Sequence, residues 1–163
     1  MLRRNPSNRR GAEAIEFAFI LPIYVMLVLG IVEYGRAFQV LQWLTEAARE
    51  GGRLAMLYNV ISQADRDLGI TSGNNKVEID IKNFLKAAGV SSGVTVKITD
   101  LAGGAFNIDD YSKSARQYFK VRVEVPYGNV KLINPISMTI MNVTIVGITD
   151  DTILAGEIIL RHE

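Results

Sequence analysis

The longest feature of the hydrophobic pattern is an uncharged run from Phe17 to Val32. Counted from Ala12, the apolar segment is 21 residues long and covers roughly 31 Å as a helix, enough for a hydrocarbon core of about 30 Å. We therefore predict a transmembrane helix over residues 12–33. Pro22 lies inside it and is expected to bend it, because proline removes one backbone hydrogen bond.

A helical repeat continues beyond this run. Apolar residues recur there at intervals of three, four or seven, which is typical of one face of an amphipathic helix. They are Tyr34, Phe38, Leu41, Leu44, Ala48 and Ala55. Tyr34, Phe38 and Trp43 also fit an aromatic belt at a membrane interface, although we favour packing for Phe38. We expect one long N-terminal helix, half in the membrane and half on a domain, that weakens or ends near Gly51 and Gly52.

The middle of the chain predicts a second, shorter helix. Residues 59–75 have the composition of a loop, or of a helical turn followed by a loop. Residues 76–88 are expected to be helical, because Ile81, Phe84, Leu85 and Ala88 share one face and Gly89 is a good helix stop. The alternation over residues 77–81 leaves a strand as the other interpretation of its start.

The remaining chain predicts a sheet. Residues 94–99 and 119–125 alternate apolar and polar side chains, which indicates antiparallel strands with one buried face, and Pro126 should end the second strand. Residues 130–146 favour further strands, and residues 158–163 a last one. The predicted fold class is α+β: a long helix with transmembrane and amphipathic halves, then a short helix and an antiparallel sheet.

The distribution of charge predicts the orientation of this helix in a membrane. Arg3, Arg4, Arg9 and Arg10 lie before the apolar run, and residues 1–11 contain no acid. Removing these four from the 18 basic side chains leaves 14 against 17 acidic ones, so the formal net charge of +1 depends on the leader. Basic residues stay on the cytoplasmic side, which predicts a single-pass protein of the inner membrane with residues 34–163 outside. No basic patch argues for a nucleic-acid partner.

A short motif joins the leader to the helix. A basic leader that ends at Gly11, with Glu16 fifth after it and Phe17 sixth, resembles a type IV prepilin processing site. The resemblance implies that a prepilin peptidase cleaves between Gly11 and Ala12. A secretory signal is disfavoured, because no small-residue cleavage site follows the apolar run. The alternative is an uncleaved anchor, in which Glu16 is a carboxylate near the cytoplasmic interface without a role.

The position of Glu16 in the apolar segment also has a physical interpretation that does not depend on the resemblance. An acid inside a membrane segment is costly and indicates a functional site. Cleavage would give Ala12 a positive α-amino group, and in a bundle of apolar helices the amine of a neighbouring subunit could neutralise Glu16. Such a pair would mainly set the register of the subunits. Glu13 is a second acid beside the new amine and could compete for it.

A longer resemblance covers residues 10–18, Leu21 with Pro22, residues 30–36 and residues 47–53. These stretches are similar to the TadE-like family, the minor pilins or pseudopilins of tight-adherence (Tad/Flp, type IVb) pilus systems. The resemblance implies a pilin-like fold and a part in pilus assembly for surface adhesion. Its implied partners are the prepilin peptidase, other pilins, the assembly platform and membrane lipid, with Glu16 and Phe17 serving processing or assembly.

Candidate catalytic and metal sites are few. His162 is the only histidine and the chain has no cysteine, so we expect no enzyme activity, no metal and no cofactor. The acid pairs at 109–110 and 150–151 lack the spacing of a calcium loop and are interpreted as loop acids in water. No small-molecule substrate is indicated. The alternative function is an uncleaved membrane-anchored protein with an outer binding domain.

Overall fold

The computed structural model describes residues 7–57, 61–110, 117–132, 138–140, 143–145 and 149–161. Its helices are α1 (Ser7–Ala55), α2 (Gln63–Asp67) and α3 (Gly73–Ala87). Its strands are β1 (Thr95–Asp100), β2 (Tyr118–Pro126), β3 (Met138–Ile140), β4 (Val143–Ile145) and β5 (Ile153–Arg161), and a 3-10 turn (Tyr127–Asn129) follows β2. The predicted α+β class is confirmed.

The dominant element is α1, a helix of 49 residues that rises roughly 73 Å. It continues through Pro22 without losing its helical assignment, and the bend at Pro22 stays a prediction. It also continues through Gly51 and Gly52 and ends at Ala55, close to the predicted end. Because no break separates the apolar half from the half that packs on the α+β domain, one helix connects both.

The second half of α1 buries a stripe of mostly small side chains. These are Ala37, Val40, Leu44, Ala47, Ala48 and Ala55. The prediction that Tyr34 and Phe38 belong to the packing face is wrong, because both are exposed. The packing face is rotated toward the small residues, since small side chains let the sheet approach the helix closely.

The main sheet has the order β1-β2-β5 and is antiparallel throughout. In β2 the side chains of Phe119, Val121, Val123 and Val125 are buried, as the alternation predicted, and Pro126 is the last residue of the strand. β5 begins at Ile153, five residues before the predicted start. β3 and β4 form a separate hairpin, which confirms strands between 130 and 146.

Glycines allow the close contact between α1 and β5. A Cβ atom on Gly156 would overlap the backbone of Leu44 and Thr45, at 2.6 Å from the Leu44 carbonyl oxygen. A Cβ atom on Gly52 would overlap Leu160. From Leu44 to Gly52 the helix rises about 12 Å, and from Gly156 to Leu160 the strand rises about 13 Å. β5 therefore runs alongside α1 in the same direction.

α3 begins three residues earlier than predicted because a distant loop caps it. The backbone N–H of Gly73 donates to both carboxylate oxygens of Asp109, at 3.1 and 2.9 Å. The side chain of Asn74 donates to the Phe106 carbonyl at 2.6 Å and accepts from the Ile108 N–H at 2.9 Å. Asp109 is an exposed loop acid, as expected, but the sequence did not predict that it caps α3. Its negative charge suits the N-terminus of a helix.

A second acid, Asp65, joins α2 to α3. Its carboxylate accepts from the backbone N–H and the hydroxyl of Ser62, at 2.9 and 2.6 Å, and pairs with the Lys76 ammonium at 2.9 Å. The hydrogen bond from the Ser62 side chain, followed by that from Lys76, lowers the pKa of Asp65 to about 2. The ionised carboxylate is thus the form that the fold requires.

Replacement of Asp65 should make the free energy of unfolding less dependent on pH in the acidic range. The pKa of Asp65 is below its ordinary 3.8, so the charged group stabilises the fold above about pH 4 and loses this effect as the pH falls toward 2. Asp65→Asn should lower the free energy of unfolding near neutral pH, and the deficit should shrink in acid. Denaturation at a series of pH values measures this, with exposed Asp67→Asn as the control. A deficit unchanged in acid would contradict it.

Candidate functional site

The predicted cleavage site lies in the first turns of α1. Gly11, Ala12, Glu16 and Phe17 are all exposed there. Ala12 and Glu16 are four residues apart in the helix, so their side chains lie on the same side, one turn from each other. Arg9 and Arg10 belong to the first turns of the same helix, whereas Arg3, Arg4 and His162 lie outside the described residues.

An uncovered apolar surface follows Glu16. None of the most apolar 18-residue window of α1 is buried, and α1 is long and apolar enough to cross a membrane. Phe19 and Leu27 are examples of its exposed side chains. Water is an unfavourable neighbour for an apolar surface of this extent. Its length and composition are consistent with a membrane anchor.

A second carboxylate, Glu33, marks the other end of this surface and contacts the α+β domain. It accepts hydrogen bonds from the Tyr127 hydroxyl and from the backbone N–H of Leu132, the latter at 3.2 Å. One turn on, the Arg36 guanidinium donates to the Val130 carbonyl at 3.4 Å and lies 5.1 Å above the Trp43 ring. These contacts hold the segment after β2 against α1 where the uncharged run ends.

The same segment is also held to the start of β5. The Tyr127 N–H donates to the Thr152 carbonyl at 2.8 Å, and the Lys131 ammonium pairs with Asp150 at 2.8 Å. Asp150 is an exposed loop acid, as expected, but its ion pair with Lys131 was not predicted. Burial of the Tyr127 side chain, followed by its hydrogen bond to Glu33, raises the pKa of Tyr127 above its ordinary value. The neutral phenol is the form that donates to Glu33.

Sequence reasoning did not find the contact between Glu33 and Tyr127. Glu33 is the first charge after the uncharged run, which is a visible signal. Its partner, however, is 94 residues away in the sequence, and no local pattern connects the two. Only the folding of β2 and β5 beside α1 brings them together.

Tyr127→Phe tests the contribution of this contact. It removes the hydroxyl that donates to Glu33 and keeps the ring, so we expect a loss of about 1.5–3 kcal/mol in the free energy of unfolding. The measurement is denaturation of the full chain in detergent micelles. Tyr118→Phe is the control, because Tyr118 lies half exposed at the start of β2. An equally small loss for both variants would contradict the assignment.

No other candidate chemistry lies on the described residues. Within the ranges described above, no group of three or more His, Cys, Asp or Glu side chains could hold a metal ion. The expectation of no enzyme activity and no cofactor stays a prediction. The candidate functional features are therefore the exposed apolar segment of α1 and the two carboxylates at its ends, Glu16 and Glu33.

The segment that matches a known protein family lies within α1. Residues 11–53 match the family model described as TadE-like protein. The matched segment begins at Gly11, contains Glu16 and Glu33, and ends two residues before the end of α1. No curated protein and no solved structure matches the chain significantly. Over the segment that forms most of its long N-terminal helix, the chain is therefore similar to TadE-like proteins.

Proposed function

We propose that the protein is a minor pilin, or pseudopilin, that takes part in assembly of a Tad (Flp, type IVb) pilus for surface adhesion. The observation that supports this most is the uncovered apolar half of α1, which lies within the segment that matches the TadE-like family. A helix of this kind has two suitable surroundings, lipid before assembly and the apolar helices of other pilins after it. One surface therefore serves both stages.

The proposed maturation step is cleavage between Gly11 and Ala12 by a prepilin peptidase. The leader, with its four arginines, stays in the cytoplasm, α1 crosses the inner membrane once, and the α+β domain lies outside. Because α1 is continuous from the span into the core of this domain, movement of the helix out of the membrane carries the domain with it. The further partners are other pilins and the assembly platform.

The two acids of the mature N-terminus have different proposed partners. After cleavage Ala12 is the first residue, so Glu13 falls in the first turn of the helix, where unpaired backbone N–H groups stabilise a negative charge. Glu16 lies one turn further along and lacks that local partner. It is therefore the carboxylate that needs the α-amino group of an adjacent subunit. The role is one of assembly, without catalysis, cofactor or small-molecule substrate.

Deletion and complementation test the proposed function. A strain that makes the pilus should lose surface pili and adhesion when it lacks this chain, and the full chain should restore both. Pili are counted by electron microscopy and adhesion by retention of cells on a surface. Unchanged pili and adhesion in the deletion strain would contradict the proposal and favour the uncleaved anchor with an outer binding domain.

A further inference from the structure

Three large apolar side chains are exposed around the point where α1 leaves the uncharged run. Tyr34 and Phe38 of α1 are 54% and 62% exposed, and Leu132, from the segment after β2, is 65% exposed. The core does not use these side chains, and neither does the proposed pairing at Glu16. We refer to the three residues as the exit patch.

Hydrogen bonds place the third residue of the patch beside the other two. The Leu132 N–H donates to the Glu33 carboxylate at 3.2 Å, and the neighbouring Val130 carbonyl accepts from Arg36 at 3.4 Å. Leu132 is therefore at the level of residues 33–36 of the helix. A residue almost one hundred positions away in the sequence thus joins the surface at the end of the span.

This level corresponds to the headgroup zone of a bilayer. Phe38 is six residues beyond Val32, which is about 9 Å along the helix, and Tyr34 is about 3 Å beyond it. A bilayer of about 40–45 Å with a hydrocarbon core of about 30 Å leaves roughly 5–8 Å of headgroups on each side. Tyr34 and Leu132 lie within that zone. The backbone of Phe38 lies just beyond it, and its side chain tilts back toward the helix N-terminus and hence toward the zone.

The chemistry of the patch favours lipid without a requirement for lipid charge. Tyrosine and other amphipathic aromatic side chains are enriched at membrane interfaces. The two cations closest to the patch already have partners, since Arg36 lies over Trp43 and Lys131 pairs with Asp150. These residues therefore do not supply free positive charge that would attract anionic lipids.

We infer that the exit patch contacts the outer leaflet of a phospholipid membrane, with Leu132 anchoring the outer domain to the lipid surface. Contacts from both α1 and the segment after β2 would restrict the tilt of the domain relative to the membrane. This contact requires only that α1 spans the bilayer. It does not require assembly into a pilus, so its failure would leave the proposed function standing.

The chain has no cysteine, which permits single-cysteine labelling of the full protein. Leu132→Cys and Phe38→Cys carry a spin label in the patch. Leu27→Cys marks the span. Leu68→Cys is the matched control, because Leu68 is 79% exposed and follows α2. The ion pair of Asp65 with Lys76 joins α2 to the start of α3, which packs against Gly51 near the far end of α1. The labelled chains are placed, at high dilution, in vesicles of phosphatidylethanolamine and phosphatidylglycerol.

The measurement compares the access of dissolved oxygen, which enters lipid, with that of a water-soluble nickel chelate. We expect the access of the nickel chelate to labels at Leu132 and Phe38 to be several-fold lower than at Leu68. The access of oxygen to the same labels should be retained. The ratio of oxygen to nickel access should lie between the ratios at Leu27 and Leu68. The same result is expected in pure phosphatidylcholine. High nickel access at Leu132 would overturn the inference, as would low access to both reagents, which would indicate cover by protein.

Discussion

Glu16→Ala is expected to leave the chain in the inner membrane and to prevent its incorporation into a pilus or pseudopilus. The physical reason is the α-amino group of an adjacent subunit, which would lose its partner inside a bundle of apolar helices. Breaking one partner of a buried ion pair costs about 3–5 kcal/mol. That loss corresponds to two or more orders of magnitude in an association constant.

The measurement is complementation of the deletion strain by the variant as the only copy, with membrane levels checked by immunoblot. Glu13→Ala is the matched control, because it removes an exposed acid three residues away whose proposed partner lies in its own helix. We expect the Glu13 variant to assemble. Normal pilus assembly by Glu16→Ala, at wild-type membrane levels, would show that no such pair is needed.

Gly156→Ala is expected to separate β5 from α1 and to destabilise the α+β domain by about 3 kcal/mol, the upper part of the usual range for overpacking. The new methyl group would overlap the backbone of Leu44 and Thr45 in the middle of α1. Backbone atoms of a helix cannot move aside as the end of a side chain can. One face of the sheet would therefore lose its close packing.

Two further glycines, both in α1, provide a graded control. At Gly35 an added Cβ atom meets nothing within 4 Å, so Gly35→Ala should be neutral or stabilise by up to about 1 kcal/mol. At Gly52 it meets the flexible side chain of Leu160, so an intermediate loss is expected. Guanidinium denaturation in micelles, followed by the fluorescence of Trp43, measures all three. Equal stability of Gly156→Ala and Gly35→Ala would contradict the packing.

Local patterns predicted the elements of this fold better than their contacts. The alternation in β2 and the long apolar run of α1 each depend on neighbours in sequence, and both elements formed as expected. The buried stripe of α1 was predicted correctly at Leu44, Ala48 and Ala55. It was wrong at its start, because helical spacing allows two continuations there, one with Tyr34 and Phe38 and one with Ala37 and Val40. Choosing between them requires knowledge of the partner, here Gly156 in β5, which sequence spacing does not supply.

The residues of the candidate site likewise fall into a local motif, which the sequence shows, and long-range contacts, which it does not. Gly11, Ala12 and Glu16 form a local motif that is visible in the sequence alone. Glu33 became informative only through Tyr127, and the capping role of Asp109 only through Gly73, 36 residues away. Short acidic pairs in loops give no sign of which distant N–H group or cation they will meet. Such roles depend on the topology of the chain.

The mature N-terminus is the most direct test of the account. The full chain would be purified from membranes of cells with an intact pilus system and examined by intact mass and terminal peptide sequencing. A chain that starts at Ala12, without residues 1–11, is the predicted result and would place this protein among the substrates of a prepilin peptidase. A chain that still starts at Met1 would contradict the account and leave the protein as an uncleaved membrane anchor.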